Sequence, residues 1–173
     1  MNIKKIEISQ WTLFIIFGLS IFVKCLLFHL FCFNYVAVSS LWNAPHDFFS
    51  FYVAKLLPAL SIASFVFIFK RKWWMIMASI IIDLWMVANF IYYRANDLFL
   101  DTETIMIVDN LNGFWSSIAT YLNWKSLSFF VLTILLCVLL AFVNVKNERN
   151  WKHFGIATAI SVIFFLGDHF AVY

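Results

Sequence analysis

Long runs of apolar residues divide the chain, with polar connections between them. The runs cover residues 11–33, 49–69, 73–93, 126–143 and 154–173. Each has about the 20 residues that an α-helix needs to cross a hydrocarbon core about 30 Å thick. The runs lack the alternation of apolar and polar positions that a membrane-spanning barrel strand requires. The pattern predicts an all-α integral membrane bundle of five transmembrane helices that occupies the whole chain.

The first run also has features of a cleaved signal peptide. Lys4 and Lys5 form a basic leader, and Ala37-Val38-Ser39 is a faint small-x-small cleavage pattern. The run is nevertheless longer than the apolar core of a signal peptide, which is about 7–15 residues. We therefore expect it to remain as a membrane anchor.

The connection before the fourth run, residues 94–125, is long and contains a segment of its own. Over residues 110–123, Trp, Tyr and aliphatic side chains recur at helical spacing with polar residues between them. This pattern predicts an amphipathic helix that lies flat in the headgroup region. The alternative is a sixth crossing over residues 105–122, which would invert the C-terminus. Asp109, Asn110 and Asn112 argue against that crossing.

Composition restricts the class of protein. Hydrophobic residues make up 64% of the chain and charged residues 12%, whereas soluble domains average about 45–50% and about 25%. Soluble and disordered proteins are thereby excluded. The net charge of +3 is too small to indicate a nucleic-acid partner. The three cysteines all lie inside apolar runs, so we interpret them as buried hydrophobic side chains.

The distribution of charge predicts the orientation in the membrane. Basic residues concentrate in the N-terminal segment and in the second and fourth connections: Lys4, Lys5, Lys70, Arg71, Lys72, Lys146, Arg149 and Lys152. The other connections contain Arg94 and Lys125 together with most of the acidic residues. Basic connections stay in the cytoplasm, so we expect a multi-pass cell-membrane protein with a cytoplasmic N-terminus and an external C-terminus.

Ionisable side chains inside the runs are candidates for a functional role, because a charge at the bilayer centre costs at least about 2.5–3.5 kcal/mol. These residues are Lys24, Lys55, Asp83 and Asp168. From their depths we expect Asp168 to pair with Lys55 or Lys24, and Asp83 to find a partner deeper in the bundle. An ion pair that fixes helix register, a site for a lipid headgroup or ion that opens outward, and snorkelling of Lys55 to the interface all remain open.

Motifs for catalysis or metal binding are not recognisable in the sequence. It has no nucleophile elbow and no P-loop, and its 4 glycines do not form a phosphate-binding loop. His29 and His169 lack a companion ligand at metal-site spacing. We therefore expect neither catalysis nor a metal site in this chain.

A polar segment at the end of the third run is suited to binding a phospholipid headgroup. Tyr92, Tyr93, Arg94 and Asp97 place two phenols, a guanidinium and a carboxylate at the outer surface. A guanidinium can bind a phosphate through two hydrogen bonds, and tyrosine rings favour the interface. An ordinary interfacial anchor is the alternative interpretation.

The same segment resembles a known family. The pattern Asn89-x-x-Tyr92-Tyr93-Arg94 followed by Asn96-Asp97-x-Phe99 is similar to the end of the third transmembrane helix in lipoteichoic-acid-synthase-type proteins. These are membrane-anchored members of the sulfatase and alkaline-phosphatase superfamily. The five-span layout, the flat aromatic segment and the external C-terminus also resemble that family's N-terminal membrane domain.

The resemblance implies a function for the whole protein. In this family, five helices precede a large extracellular catalytic domain with a threonine nucleophile and a divalent metal: manganese, magnesium or zinc. The enzyme moves a phosphoglycerol or phosphoethanolamine headgroup from a phospholipid to a polymer, lipid or glycan acceptor. This sequence ends at Tyr173 without such a domain. We therefore expect a fragment of a longer chain or a truncated gene product, to which only the motif positions Tyr92, Tyr93 and Arg94 can be transferred.

The sequence thus predicts a membrane anchor that presents lipid to an outer-face transferase and is inactive alone. Its expected partners are membrane lipids and, in a full-length protein, its own catalytic domain. The alternative is a stand-alone structural or assembly membrane protein without catalysis.

Overall fold

The architecture comes from a computed structural model, which describes residues 6–34, 45–69, 71–100, 120–145 and 149–171. Within these ranges, the side chains of residues 45–48, 145, 164–165 and 167–171 are not described. The helices are α1 (Gln10–Phe33), α2 (Pro45–Ser64), α3 (Trp73–Asn96), α4 (Trp124–Phe142) and α5 (Trp151–Ala171). A 3-10 turn, Phe65–Phe67, follows α2.

Among the described residues, four helices are long and apolar enough to cross a membrane. They are Gln10–Phe33, Phe49–Phe67, Trp73–Asn96 and Trp124–Phe142. This confirms the helical fold with several candidate spans, whereas the fifth crossing stays a prediction. Most of the predicted interfacial helix, residues 110–119, lies outside the described residues, although residues 120–121 are helical.

Local hydrogen bonds define where the helices end. Ser9 caps α1 by accepting a bond of 3.1 Å from the backbone N–H of Thr12. At the other end, Asn34 adopts a left-handed conformation with φ of 52° and donates its N–H to the Leu30 carbonyl at 2.8 Å. Asparagine and aspartate tolerate this conformation better than other residues with a Cβ, which suits them to end a helix.

The start of α4 is fixed by a reciprocal capping box. Asn123 accepts from the backbone N–H of Ser126, and the Ser126 hydroxyl accepts from the backbone N–H of Asn123. Two backbone donors that would otherwise be unsatisfied at the helix start therefore have partners.

Helix α1 lies at the centre of the packing and contacts α2, α3 and α4, while α2 packs against α5. A Cβ added at Gly18 on α1 would lie 3.4 Å from the Ala63 Cβ on α2, so these helices approach closely. One buried cluster is built around Leu13, Phe17 and Phe67. A second contains Cys32, Met86, Phe90, Ile91 and Phe129, where α1, α3 and α4 meet.

Two short strands depart from the purely helical prediction. Strand β1 (Ile6–Ile8) pairs in parallel with β2 (Val143–Val145), and Ile6 lies opposite Val143. From the sequence, Val143 was expected in the fourth span, because a three-residue strand beside a long apolar helix is too short to show a period of its own. The pairing shows that the start of α1 and the end of α4 lie together.

Further contacts bring the remaining helix ends to the same side of the bundle. The Lys72 ammonium, just before α3, donates to the Leu140 carbonyl of α4 at 3.1 Å. The backbone N–H of Asn150, just before α5, donates to the Phe67 carbonyl at 2.7 Å. We call this side, with β1, β2, Arg71, Lys72, Arg149 and Lys152, the basic end. The helices therefore alternate in direction, as successive membrane crossings require.

Candidate functional site

Polar side chains from three helices meet in the interior of the bundle. Lys24 belongs to α1, Ser79 and Asp83 to α3, and Thr133 to α4. Lys24, Ser79 and Asp83 are 0% exposed and Thr133 is 4% exposed. Ser79 and Asp83 are four residues apart, which places them on one face of α3. We call these four residues the buried polar network.

The buried polar network provides hydrogen-bond acceptors and a counter-charge for the Lys24 ammonium. Its Nζ atom donates to the Ser79 and Thr133 hydroxyls at 2.6 Å each, and it lies 2.5 Å from Asp83 Oδ1. The Thr133 hydroxyl donates to the second carboxylate oxygen of Asp83. Lys24 therefore has two hydroxyl acceptors and one carboxylate counter-charge within 2.6 Å. The arrangement favours a role in fixing the register of α1, α3 and α4.

Asp83, for which a partner deeper in the bundle was expected, pairs with Lys24. The expected pairing of Asp168 with Lys55 or Lys24 stays a prediction, because the Asp168 side chain lies outside the described residues. The depth of a residue along its helix does not determine which way its side chain faces. A long lysine side chain also reaches across a difference of about 5 Å, which is about one helical turn.

Lys55 interacts with its own helix. Its Nζ atom donates to the Phe51 carbonyl at 3.0 Å and lies 3.5 Å from the centroid of the Phe51 ring. The geometry is that of a cation–π contact. Within the described part of the chain, no carboxylate lies within ion-pair distance of Lys55.

The chain folds back on itself after α3. Asp97 has a φ of 54°, and its N–H donates to the Tyr93 carbonyl at 2.8 Å, which ends the helix. The backbone N–H of Leu100 then donates to Asn89 Oδ1 at 3.1 Å. The Phe99 ring stacks on the Tyr93 ring, with centroids 4.8 Å apart and planes at 16°. We call residues 97–100, held in this way, the fold-back.

The fold-back is also held by α1. The Phe99 ring lies 5.9 Å from the Phe28 ring and 5.8 Å from the Phe33 ring, measured between centroids. Three aromatic contacts and one side-chain hydrogen bond therefore fix this turn at the end of the bundle opposite to the basic end.

This geometry divides the predicted headgroup residues into two groups. Tyr93 is partly buried with its ring stacked in the fold-back, so its main contribution is structural. Arg94 and Asp97 are exposed, and Tyr92 is partly exposed. Among the described residues, neither Arg94 nor Asp97 has an ion-pair partner. The structural roles of Asn89 and Phe99 were missed from the sequence, although both belong to the quoted motif.

Lys125 is a further cation at this end. Its Nζ atom lies 5.8 Å from the centroid of the Phe31 ring near the end of α1. From the sequence, Lys125 was placed on the same side as Arg94, without a role. The charge count was the available signal, because Arg94 and Lys125 are the basic residues of the connections that were predicted to be external.

The chemistry of the surface at this end suits an anion that is attached to lipid acyl chains. An exposed guanidinium can donate two parallel hydrogen bonds to a phosphate, and partly exposed tyrosine and tryptophan rings favour headgroup depth. In the described part of the chain, no group of three His, Cys, Asp or Glu residues could hold a metal ion. The His29 ring packs against the Phe33 and Phe51 rings, with centroids 4.6 and 4.7 Å away; the side chain of His169 lies outside the described residues.

Comparison with known proteins gives a family match that covers nearly the whole chain. A family model described as the lipoteichoic acid synthase N-terminal domain matches residues 1–172. No curated protein and no solved structure matches the chain. The match agrees with the resemblance of residues 89–99 to this family and with the multi-helix membrane fold. The chain therefore belongs to the family of lipoteichoic acid synthase N-terminal domains.

Proposed function

We propose that this chain anchors a headgroup transferase of the lipoteichoic acid synthase type in the cell membrane and presents its phospholipid substrate on the outer face. The family match over residues 1–172 supports the anchoring role. In this proposal the basic end is cytoplasmic and the fold-back faces outward, as the positive-inside rule predicts.

The proposed lipid surface consists of Tyr92, Arg94, Asp97 and Lys125. The observation that carries it is an exposed Arg94, without an ion-pair partner in the described part of the chain, beside a turn that is held in place. A surface whose geometry is fixed before binding loses less entropy when it binds. Arg94 would bind the phosphodiester, and Tyr92 would lie against the glycerol region of the lipid.

In this proposal the chemical step takes place on a catalytic domain of the enzyme, separate from this membrane domain. We propose that a phosphoglycerol or phosphoethanolamine headgroup is transferred to a polymer, lipid or glycan acceptor. A divalent ion such as manganese, magnesium or zinc would supply electrostatic stabilisation of the phosphate there. In this proposal the contribution of this chain is to position the lipid. Among its described residues, no group of three His, Cys, Asp or Glu residues could hold that ion.

The proposal is tested in membranes of the source cells, with Arg94→Ala introduced into the natural gene. The measured quantity is the release of labelled headgroup from phosphatidylglycerol and, in parallel, from phosphatidylethanolamine. A hydrogen bond to a charged group contributes about 1.5–3 kcal/mol. This corresponds to a loss of rate of about 10- to 150-fold, because each 1.36 kcal/mol is a factor of ten.

Two further variants define the controls. Arg94→Lys keeps the charge but not the paired hydrogen bonds, so an intermediate rate is expected. Asn144→Ala changes an exposed polar residue at the basic end and should leave the rate unchanged. If the Arg94→Ala protein, at the same abundance as the wild type, releases headgroup at the wild-type rate, Arg94 does not bind the lipid. The absence of headgroup release from either lipid by the wild-type membranes would contradict the transferase role itself.

A further inference from the structure

The basic end is electrostatically positive for reasons beyond its lysines and arginines. Helices α1, α3 and α5 all begin there, and none has an acidic residue in its first turn. A helix N-terminus has a partial positive charge of about half an elementary charge. The residue before α3, Lys72, makes no side-chain capping bond to that helix.

Lys72 differs from the other cations at this end. Its ammonium donates to the Leu140 and Val143 carbonyls at the end of α4. It therefore satisfies backbone acceptors that the helix leaves open. We assign Lys72 a structural role.

Three exposed cations remain: Arg71, Arg149 and Lys152. The hydrogen bond from Asn150 to Phe67 joins the connection that leads to Arg71 with the one that contains Arg149. The guanidinium carbon of Arg149 lies 5.8 Å from the centroid of the Trp151 ring. Within the described ranges, none of the three forms an ion pair, and the one described acid at this end is the exposed Glu7.

Exposed tryptophans place these cations at headgroup depth. Trp73 is 56% exposed and Trp151 is 60% exposed, and both lie at the first residue of their helices. Tryptophan is enriched where the hydrocarbon core meets the headgroups. Arg71 and Lys152 are within two residues of Trp73 and Trp151 in the sequence, so we expect them at the level of the lipid phosphates.

We propose that Arg71, Arg149 and Lys152 bind the phosphodiester headgroup of an anionic phospholipid between the starts of α3 and α5. This site is at the opposite end of the bundle from the lipid surface of the proposed function and does not depend on it. Its ligand is bound through charge and paired hydrogen bonds from arginine, so zwitterionic phosphatidylcholine should bind much more weakly.

The experiment uses the chain in phosphatidylcholine vesicles that contain a small fraction of a phosphatidylglycerol whose headgroup has a photoreactive diazirine. A phosphatidylcholine with the same group serves as the comparison lipid. After illumination, mass spectrometry locates the cross-linked peptides. Peptides containing residues 71–74 and 149–152 should cross-link at least about fivefold more with phosphatidylglycerol, and sodium chloride should reduce the difference.

Substitutions separate a specific site from general attraction. Arg71→Ala combined with Arg149→Ala should reduce cross-linking at these peptides to the phosphatidylcholine level. Arg71→Lys with Arg149→Lys should keep part of the preference. Asn144→Ala is the matched control at the same end and should behave as the wild type.

Each other outcome overturns the proposal. Equal cross-linking by the two lipids, or an undiminished preference in the double alanine variant, would show that the cations do not bind the headgroup. Loss of cross-linking on addition of inorganic phosphate, with the ionic strength held constant by less sodium chloride, would indicate a site for a free anion instead of a lipid. If the double alanine variant does not insert, the two single variants decide: each should lower the preference about twofold, and no decrease in either would refute the site.

Discussion

Replacing Asp83 by alanine leaves the Lys24 ammonium buried in the bundle without a counter-charge. Lys24 is 0% exposed, and its remaining close partners are the hydroxyls of Ser79 and Thr133 at 2.6 Å. Hydroxyls can accept hydrogen bonds but cannot neutralise the charge. The free energy of unfolding should therefore fall.

The expected size of the effect distinguishes charge from hydrogen bonding. Removing one partner of a buried ion pair costs about 3–5 kcal/mol. Removing one side-chain hydrogen bond within a membrane costs about 0.6 kcal/mol on average and at most about 1.7 kcal/mol. Asp83→Ala should thus destabilise the chain by about 3–5 kcal/mol, and Ser79→Ala by about 1 kcal/mol or less.

The double variant Lys24→Met with Asp83→Leu tests the same reasoning from the other direction. Replacing both charges by apolar groups of similar size is often neutral or stabilising. We expect the free energy of unfolding of the double variant to lie within about 1 kcal/mol of the wild-type value. The change should therefore be much smaller than the sum of the changes in the two single variants. The Ser79 and Thr133 hydroxyls, 2.8 Å apart, remain as partners for each other.

The assay is reversible unfolding of the purified chain in mixed micelles with an increasing fraction of sodium dodecyl sulfate, followed by helical circular dichroism. Ser161→Ala is the control, since Ser161 is also buried, at 4% exposure, and donates only to the Ala157 carbonyl among the described residues. A cost below about 1 kcal/mol for Asp83→Ala would refute the reasoning. A double variant as unstable as the single variants would do the same.

Three further changes test other contacts. Lys72→Met removes charged hydrogen bonds to the end of α4, and we expect a loss of about 1.5–3 kcal/mol in the same assay together with faster hydrogen exchange in the β1–β2 pair. Asn89→Leu removes the acceptor for the Leu100 N–H, so hydrogen exchange at Leu100 should accelerate while α1 keeps its protection. Phe129→Ala should cost about 3–5 kcal/mol, because this ring is 0% exposed and contacts rings from both α1 and α3; unchanged unfolding would contradict the packing of the second cluster.

Hydropathy predicts the helices well because the bilayer sets their length, but it predicts their ends less well. The fourth span was expected to begin at residue 126, whereas α4 begins at Trp124. The capping box of Asn123 and Ser126 determines that start, and neither residue is apolar. The third span likewise continues to Asn96, because the polar motif after Tyr93 is still helical.

The candidate site was predictable in its residue types and not in its contacts. The sequence identifies Lys24 and Asp83 as costly charges in apolar runs, which is enough to expect that they need partners. Which partner each finds depends on the rotation of each helix about its own axis. The sequence carries little information on that rotation, because the sides of a membrane helix that face lipid and protein are both apolar. The fold-back was not predictable for a related reason, since the bond from Leu100 to Asn89 joins a loop backbone to a helix side chain.

The proposed function requires that the fold-back and the basic end face opposite sides of the membrane. Single cysteines at Asp97 and Asn144, in a chain whose Cys25, Cys32 and Cys137 are replaced by alanine, report on both ends. In intact cells, a membrane-impermeant maleimide should label Asp97→Cys and should label Asn144→Cys only after the cells are opened. Labelling of Asn144→Cys in intact cells, with Asp97→Cys protected, would invert the orientation and contradict lipid presentation on the outer face.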